Sequence, residues 1–370
     1  MKFIALRSNI KEAIAAIEKA VGENANLPIL KNILIEAKEG GVVFSSTNLE
    51  IAVSHKVTGK VIEPGKVAPP LSLVSNLIGN IQSDRLNFES KGNDLEVTTD
   101  NYSAVIHGLS PEDFPITPSI QNGGNHIAIK AAILKEAIQQ VSAATQFSDL
   151  RPELNSILFQ FSLDNLVFAA TDGFRLAEKT IPSNLFAAKN KEPFRMLVPL
   201  RTALEAARIL REDEEVKMFW DENQILFKTE PTELISRLVE GNFPDYSAII
   251  PHEFAAEVGV NREEFAAAIR LAGVFGQKNS EVRVRIHPNK KAIKISSSDQ
   301  ALGENTHTLA AKVKGEIGDV FFNWRYLADA VKNIKTEDIF IGLQEDAGPA
   351  LIRSTSDTSY VYILKPILKV

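Results

Sequence analysis

The segment Val43-Phe44-Ser45-Ser46-Thr47-Asn48 recurs as Val167-Phe168-Ala169-Ala170-Thr171-Asp172 and again as Lys294-Ile295-Ser296-Ser297-Ser298-Asp299. The Thr or Ser positions lie 124 and 127 residues apart. Such a period constrains the fold more than composition does, because each copy must be one self-similar unit. Each copy is a short apolar run closed by a polar Thr/Ser–Asn/Asp pair, the pattern of a strand entering a turn. A chain of 370 residues also exceeds what one core usually organises, so three units fit its length.

Other landmarks keep the same spacing. Asp113-Phe114-Pro115 returns as Asn242-Phe243-Pro244. Helical periodicity is predicted over 8–20, 71–81, 130–143, 199–211, 261–273 and 324–335, two helices per copy. In the first, Ile10, Ala13, Ile14, Ile17 and Val21 fall on one face. Ser8 is the expected cap there, and Asn261 followed by Glu264 is a capping-box pattern. Between helices the chain alternates apolar and polar residues, as in Leu86–Glu89, Leu95–Thr98 and Val282–Ile286. The expectation is an α+β chain of three tandem similar domains, 1–120, 126–247 and 254–370, each with two helices and mostly antiparallel strands. The first linker, 119–125, holds Gly123-Gly124; the second, 247–254, holds Pro251.

Composition and motifs remove most chemistry. There is no cysteine, which excludes disulfides, thiolate metal sites and cysteine nucleophiles and fits a reducing cytoplasm. The six histidines are scattered without metal-ligand spacing, and no Gly-rich phosphate loop or nucleophile elbow occurs. No apolar run approaches the ~18 residues of a spanning helix, and the start reads as a strand, not a leader. Asp172 and Asp299 sit at strand–turn junctions and read as turn-formers before acids. The chain is therefore expected to be no enzyme and to need no cofactor or metal, with no membrane partner.

The net charge of −6 argues against a polyanion partner until it is divided by element. The six helical segments hold twelve cations and seven carboxylates, a net +5, leaving −11 elsewhere. In 324–335, Leu327, Val331 and Ile334 make the apolar stripe while Arg325, Lys332 and Lys335 face away. In 199–211, Leu200, Ala203, Leu204 and Ala207 are expected inside, leaving Arg201, Arg208 and Arg211 wet. The first unit contributes nothing to this excess. Segregated charge on an acidic protein points to one basic surface for a polyanion.

Thr171-Asp172-Gly173-Phe174-Arg175-Leu176-Ala177 resembles the TDGHRLA signature of the bacterial sliding clamp, the beta subunit of DNA polymerase III. The resemblance runs the length of the chain, through Asn26–Leu30, Asp113–Pro115, 144–148, Phe243–Tyr246, Phe322-Asn323 and Pro366. It implies three domains of the DNA-clamp (processivity) fold, two copies forming a ring around duplex DNA, and no catalysis. The implied partners are the replicative DNA polymerase, the clamp loader and other proteins carrying a clamp-binding motif.

The resemblance also implies sites. A partner-peptide cleft would use Leu154, Thr171, Gly173, Phe174, Arg175, Leu176, Pro244, Ile249, Ile363, Leu364, Pro366 and Ile367. Lys130, Lys135, Arg201, Arg208, Arg211, Arg325, Lys332 and Lys335 would face DNA. Ala104 and Ile106 would meet Val274 and Phe275 of a second copy. Phe174 stands where the signature has His, Ala248, Lys365 and Leu368 also depart from common members, and Asn24 stands where an Arg can touch DNA. Two other readings fit the residues: a clamp-like paralogue for repair or a specialised polymerase, and a three-domain enzyme holding an anionic substrate through Arg175.

Overall fold

The computed structural model describes residues 1–22, 26–116, 118–120, 126–145, 150–189, 192–276, 280–287, 289, 291–345 and 348–368. Asn24, the linker core at 121–125 and the motif residues 146–148 lie outside the described residues. Among the described residues the α-helices are α1 Arg7–Ile17, α2 Leu71–Asn80, α3 Ala131–Ser142, α4 Leu200–Ile209, α5 Arg262–Phe275 and α6 Trp324–Lys332. They fall where the apolar periodicity predicts them.

The chain forms two compact units. The first comprises 1–135, 186–191 and 201–238, and the second 136–185, 192–200 and 239–370. In the first unit, a five-stranded sheet runs in the order Gly59–Glu63, Lys2–Leu6, Arg85–Lys91, Asp94–Thr98, Ser103–Ile106. Its nine-stranded sheet runs Phe186–Ala188, His126–Lys130, Glu215–Trp220, Gln224–Lys228, Thr232–Arg237, Ile51–Val57, Gly41–Thr47, Leu34–Lys38, Gly65–Val67. The second unit holds one twelve-stranded sheet. Its order is Phe194–Pro199, Ser156–Phe161, Asn165–Thr171, Arg175–Pro182, Tyr360–Leu364, Ala350–Ser354, Asp338–Leu343, Ala256–Asn261, Gly303–Gly315, Ala292–Asp299, Glu281–His287, Val320–Asn323.

The repeats agree at the level of single hydrogen bonds. The first N–H of each leading helix is taken by a backbone carbonyl: Arg7 by Asp84 (2.8 Å), Ala131 by Glu214 (2.9 Å) and Arg262 by Glu337 (2.8 Å). That is why Ser8, the expected cap, caps nothing: the helix begins at Arg7 and Leu6 is its N-cap, with no side-chain bond. Asn261 does cap, accepting from the N–H groups of Glu263 and Glu264, and Asn323 caps α6 by accepting from that of Arg325. Ser46 Oγ donates to Ile17 O at the end of α1, and Ser297 Oγ to Ala272 O in α5, both at 2.6 Å. The matching middle residue is Ala170, which has no such donor.

The α1 stripe of Ile10, Ala13, Ile14 and Ile17 is buried as expected. Arg7 reaches across to the carbonyls of Ile78 and Gly79, placing a cation at the negative end of α2. In α4 the buried face is Thr202, Ala203, Ala206 and Ala207. Leu204, expected inside, is 43% exposed, because that face is centred about a third of a turn away from it. It sits instead on the side of Arg201, Arg208 and Arg211.

Candidate functional site

The repeated Thr/Ser–Asn/Asp pair folds into the same turn three times. Asn48 Oδ1 accepts from the N–H groups of Glu50 and Ile51, Asp172 Oδ1 from Phe174 and Arg175, and Asp299 Oδ1 from Ala301 and Leu302, all at 2.8–3.1 Å. A side-chain oxygen bonding two and three residues ahead replaces a backbone turn. These are turn-formers, as their position predicts.

The middle turn carries more than the others. Thr171 Oγ1 donates to Arg175 O (2.7 Å) and accepts from Gly173 N (3.1 Å), and Gly173 sits at φ +88°. That conformation costs glycine nothing and most other residues about 1–2 kcal/mol. The Arg175 side chain turns inward, 11% exposed. Its Nε donates to Asp172 Oδ2 (3.0 Å), its Nη1 to Asp329 and to the Tyr362 hydroxyl (3.4 Å), and its guanidinium lies over the Tyr326 ring, 4.2 Å from the centroid. Burial works against the charge, but Tyr362, Asp329 and Asp172 outweigh it and hold the pKa above its ordinary value. Burial pushes the Tyr362 hydroxyl up, so it stays protonated.

Of the residues expected in a cleft, the structure brings most together within the second unit. The strand Arg175–Pro182 pairs with Tyr360–Leu364, setting Arg175 against Leu364 and Leu176 against Ile363. Leu176 and Ile363 belong to an apolar cluster with Phe243, Tyr246 and Leu351, and half-buried Ile250 and Phe254 pack on it. The tail crosses beside the turn: Lys365 N–H donates to Phe174 O (2.9 Å) and Ile367 N–H to Phe321 O (2.7 Å). Phe174 is 61% exposed and Ile249 40%. Pro244, Pro366 and Ile367 are half-buried. Leu154, Leu176, Ile363 and Leu364 are buried in the core, so they underlie the surface and do not form it. Thr171 and Gly173 shape the turn by hydrogen bond and backbone conformation.

The expected DNA-facing cations divide. Lys130, Arg325 and Lys332 are exposed, and no ion pair holds Lys130 or Lys332 among the described residues. The others are engaged. Arg208 donates to Ala15 O (2.8 Å) and Ala16 O (3.3 Å), and Arg201 to Lys19 O (3.3 Å), at the negative end of α1. Arg211 pairs with Glu12 at 3.3 Å, and Lys335 with Glu136 at 3.2 Å, equivalent positions in successive repeats. Lys135, expected to face outward, is a correction: its side chain is 18% exposed and its Nζ donates to Leu210 O. The carbonyls at the end of a neighbouring helix draw in Lys135, Arg201 and Arg208, which no spacing along one helix reveals.

At the expected joint between copies, Ala104 is half-buried, Val274 exposed and Phe275 half-buried. Ile106, expected as a contact, is turned into its own unit, and the outward side chain is Val105 at 56% exposure. A strand's side chains alternate, so only one parity faces out. Leu73, Leu271 and Leu302 are exposed apolar residues that sequence reasoning missed. Tyr326 and Asp329 were missed as well; their only signal is a lone carboxylate beside an aromatic on a basic helix.

The sequence matches the family models described as DNA polymerase III beta subunit, N-terminal domain over residues 1–118, central domain over 128–245 and C-terminal domain over 247–368. It is 27% identical over 376 residues to the beta sliding clamp of Synechococcus elongatus and 26% over 380 residues to that of Bacillus subtilis, covering 99% of both chains in each case. The crystal structure of the Bacillus subtilis DNA polymerase sliding clamp superposes with a TM-score of 0.93 at 25% identity over 100% of each chain. The DNA polymerase III subunit beta of Pseudomonas aeruginosa has the same fold, with a TM-score of 0.93 at 23% identity over 100% of each chain.

Proposed function

The chain belongs to the DNA polymerase III beta subunit family and is a DNA sliding clamp, and we propose that two copies close head to tail into a ring that holds duplex DNA by linkage. One observation carries the ring. Inside the chain, Thr232–Arg237 pairs with Ile51–Val57, and Tyr360–Leu364 pairs with Arg175–Pro182. The corresponding strand of the first repeat, Ser103–Ile106, is a sheet edge, and residues 303–310 of Gly303–Gly315 pair on one side only among the described residues. Open edges invite pairing, and closure satisfies both.

The internal registers set the register of the missing joint. His55, Lys179 and His307 hold one place, opposite Phe44, Phe168 and Ile295. Ser103, Glu233 and Val361 hold another, opposite Thr98, Lys228 and Arg353. Glu233 faces Ser54 and Val361 faces Glu178, one residue before His55 and Lys179. The same rule puts Ser103 opposite Thr306 of the partner subunit and Val105 opposite Glu304 of the partner subunit. Because the chain has no cysteine, Val105→Cys with Glu304→Cys gives a clean test. Oxidation should yield a covalent ring on a denaturing gel, while Val105→Cys with Thr308→Cys should not. A monomer in light scattering, with no cross-link from the first pair, would remove the ring.

Within the ring, Arg325, Lys332 and Lys130 meet phosphates without reading bases, so direct affinity for short duplex is weak, sequence-independent and steeply salt-dependent. Partners carrying short apolar motifs, the replicative polymerase and the clamp loader among them, dock against Phe174, Ile249, Pro244, Pro366 and Ile367. The chain acts as a tether in the cytoplasm, not as a catalyst; its repeated carboxylates are occupied in turns.

A further inference from the structure

We infer that Asp329 positions the exposed tip of the peptide cleft by holding Arg175 from α6, and so sets partner affinity. This rests on the cleft reading above and adds to it one residue that acts through Arg175.

Arg175 is fixed at both ends. Its backbone N–H is bonded to Asp172, and its carbonyl accepts from Thr171 Oγ1 and from Asp172 N–H. Its guanidinium is shared between Asp172 and Asp329 and stacked on Tyr326. Tyr326 and Asp329 are three residues apart on α6, so both project from one face. Only Gly173 and Phe174 lie between the two anchored residues, and the Phe174 carbonyl is held by the tail. The place of Phe174 therefore depends on a side chain 154 residues beyond Arg175. The same position is Ile51 in the first repeat and Gly303 in the third, so neither has this strut. A guanidinium lying flat over an aromatic ring, with Nε donating to one carboxylate and Nη1 to another, is a planar fork that Lys cannot reproduce. With Asp329 removed, Arg175 keeps Asp172 and the Tyr362 hydroxyl but loses its charged partner on α6, and the tip loses its outer brace.

The test is a double-mutant cycle read by fluorescence anisotropy, using a labelled peptide from the tail of the same cell's replicative polymerase. Asp329→Ala should weaken binding about tenfold, with the dimer intact in light scattering. Arg175→Ala combined with Asp329→Ala should be no weaker than Arg175→Ala alone, and Asp329→Asn, which keeps an acceptor, should recover most of the affinity. Purely additive losses would overturn the inference, since Asp329 would then not act through Arg175. So would unchanged affinity in Asp329→Ala while Phe174→Ala binds less, which leaves the cleft standing. No loss from Phe174→Ala or Asp329→Ala overturns the strut and the cleft together.

Discussion

The two internal joints are built on one register and finished differently. In the first unit Ala52 faces Ile235, and in the second Leu176 faces Ile363 at the same place. Beside the first, Ile120 packs on Ala52, Leu226 and Ile235, and two cavities on this joint measure about 20 and 180 Å³. Beside the second stand Phe174 and Ile249, both exposed. The turn behind each joint is also the same, yet its left-handed residue is Leu49 at φ +78° in one and Gly173 at φ +88° in the other. Hydrogen bonds and register are common property of the repeats. Function lies in what the side chains leave uncovered.

If the joints share a plan, the one between copies should be the one that charge can break. Leu271→Glu with Val274→Glu replaces two residues exposed in the single chain, so the fold should survive. Buried unpaired carboxylates at the joint should weaken dimerisation by about a thousandfold or more, read as folded monomers by light scattering at micromolar concentration. A double mutant that remains dimeric would separate the third joint from the other two.

The difference between covered and open joints predicts the next effect. Phe174→Ala or Ile249→Ala should each cost a polymerase-tail peptide about tenfold in affinity, as a lost apolar anchor does. Leu49→Ala, at the covered joint, should cost nothing in the same titration. A smaller effect distinguishes the two turns. Gly173→Leu should destabilise by about 1–2 kcal/mol, and Leu49→Gly should stabilise by about 1 kcal/mol or less, in chemical denaturation. Equal effects of the same sign would mean the two turns are not under the same strain.

The smallest effect is one of pH. His55 is buried at the first joint, its Nδ1 2.8 Å from Thr232 Oγ1. Burial lowers its pKa more than Glu12 raises it. The unfolded chain then binds the proton more readily, so the stability given by the neutral ring is complete above about pH 6.5 and is lost as pH falls through the lowered value. Lys179 holds this place in the second joint. Hydrogen exchange, corrected for its intrinsic pH dependence, should therefore show Ile51–Val57 losing protection between pH 7.5 and 5 while Tyr360–Leu364 keeps its own. His55→Asn should abolish the contrast.

Much of this was legible in the residues. The repeat, the helices and the turn-forming role of Asp172 and Asp299 follow from local patterns, which the chain reads over a few residues. What stayed hidden depends on distant partners. Ser8 lost its role to the carbonyl of Asp84, and Lys135 was drawn to Leu210 O. The phase of α4 left Leu204 outside, and strand parity turned Ile106 inward. Arg175 was readable as a signature residue, but its brace on α6 was not, because nothing in the sequence ties residue 175 to residue 329.

Retention on DNA with and without ends tests the central claim most directly. The protein is placed on a nicked circle with the clamp loader proposed above, and the complex is passed through gel filtration at moderate salt before and after a single cut. A ring held by linkage should stay with the circle and leave the freshly linearised DNA, although every protein–phosphate contact is the same in both. Equal retention on the two forms would contradict the account and return Arg325, Lys332 and Lys130 to ordinary solvated surface.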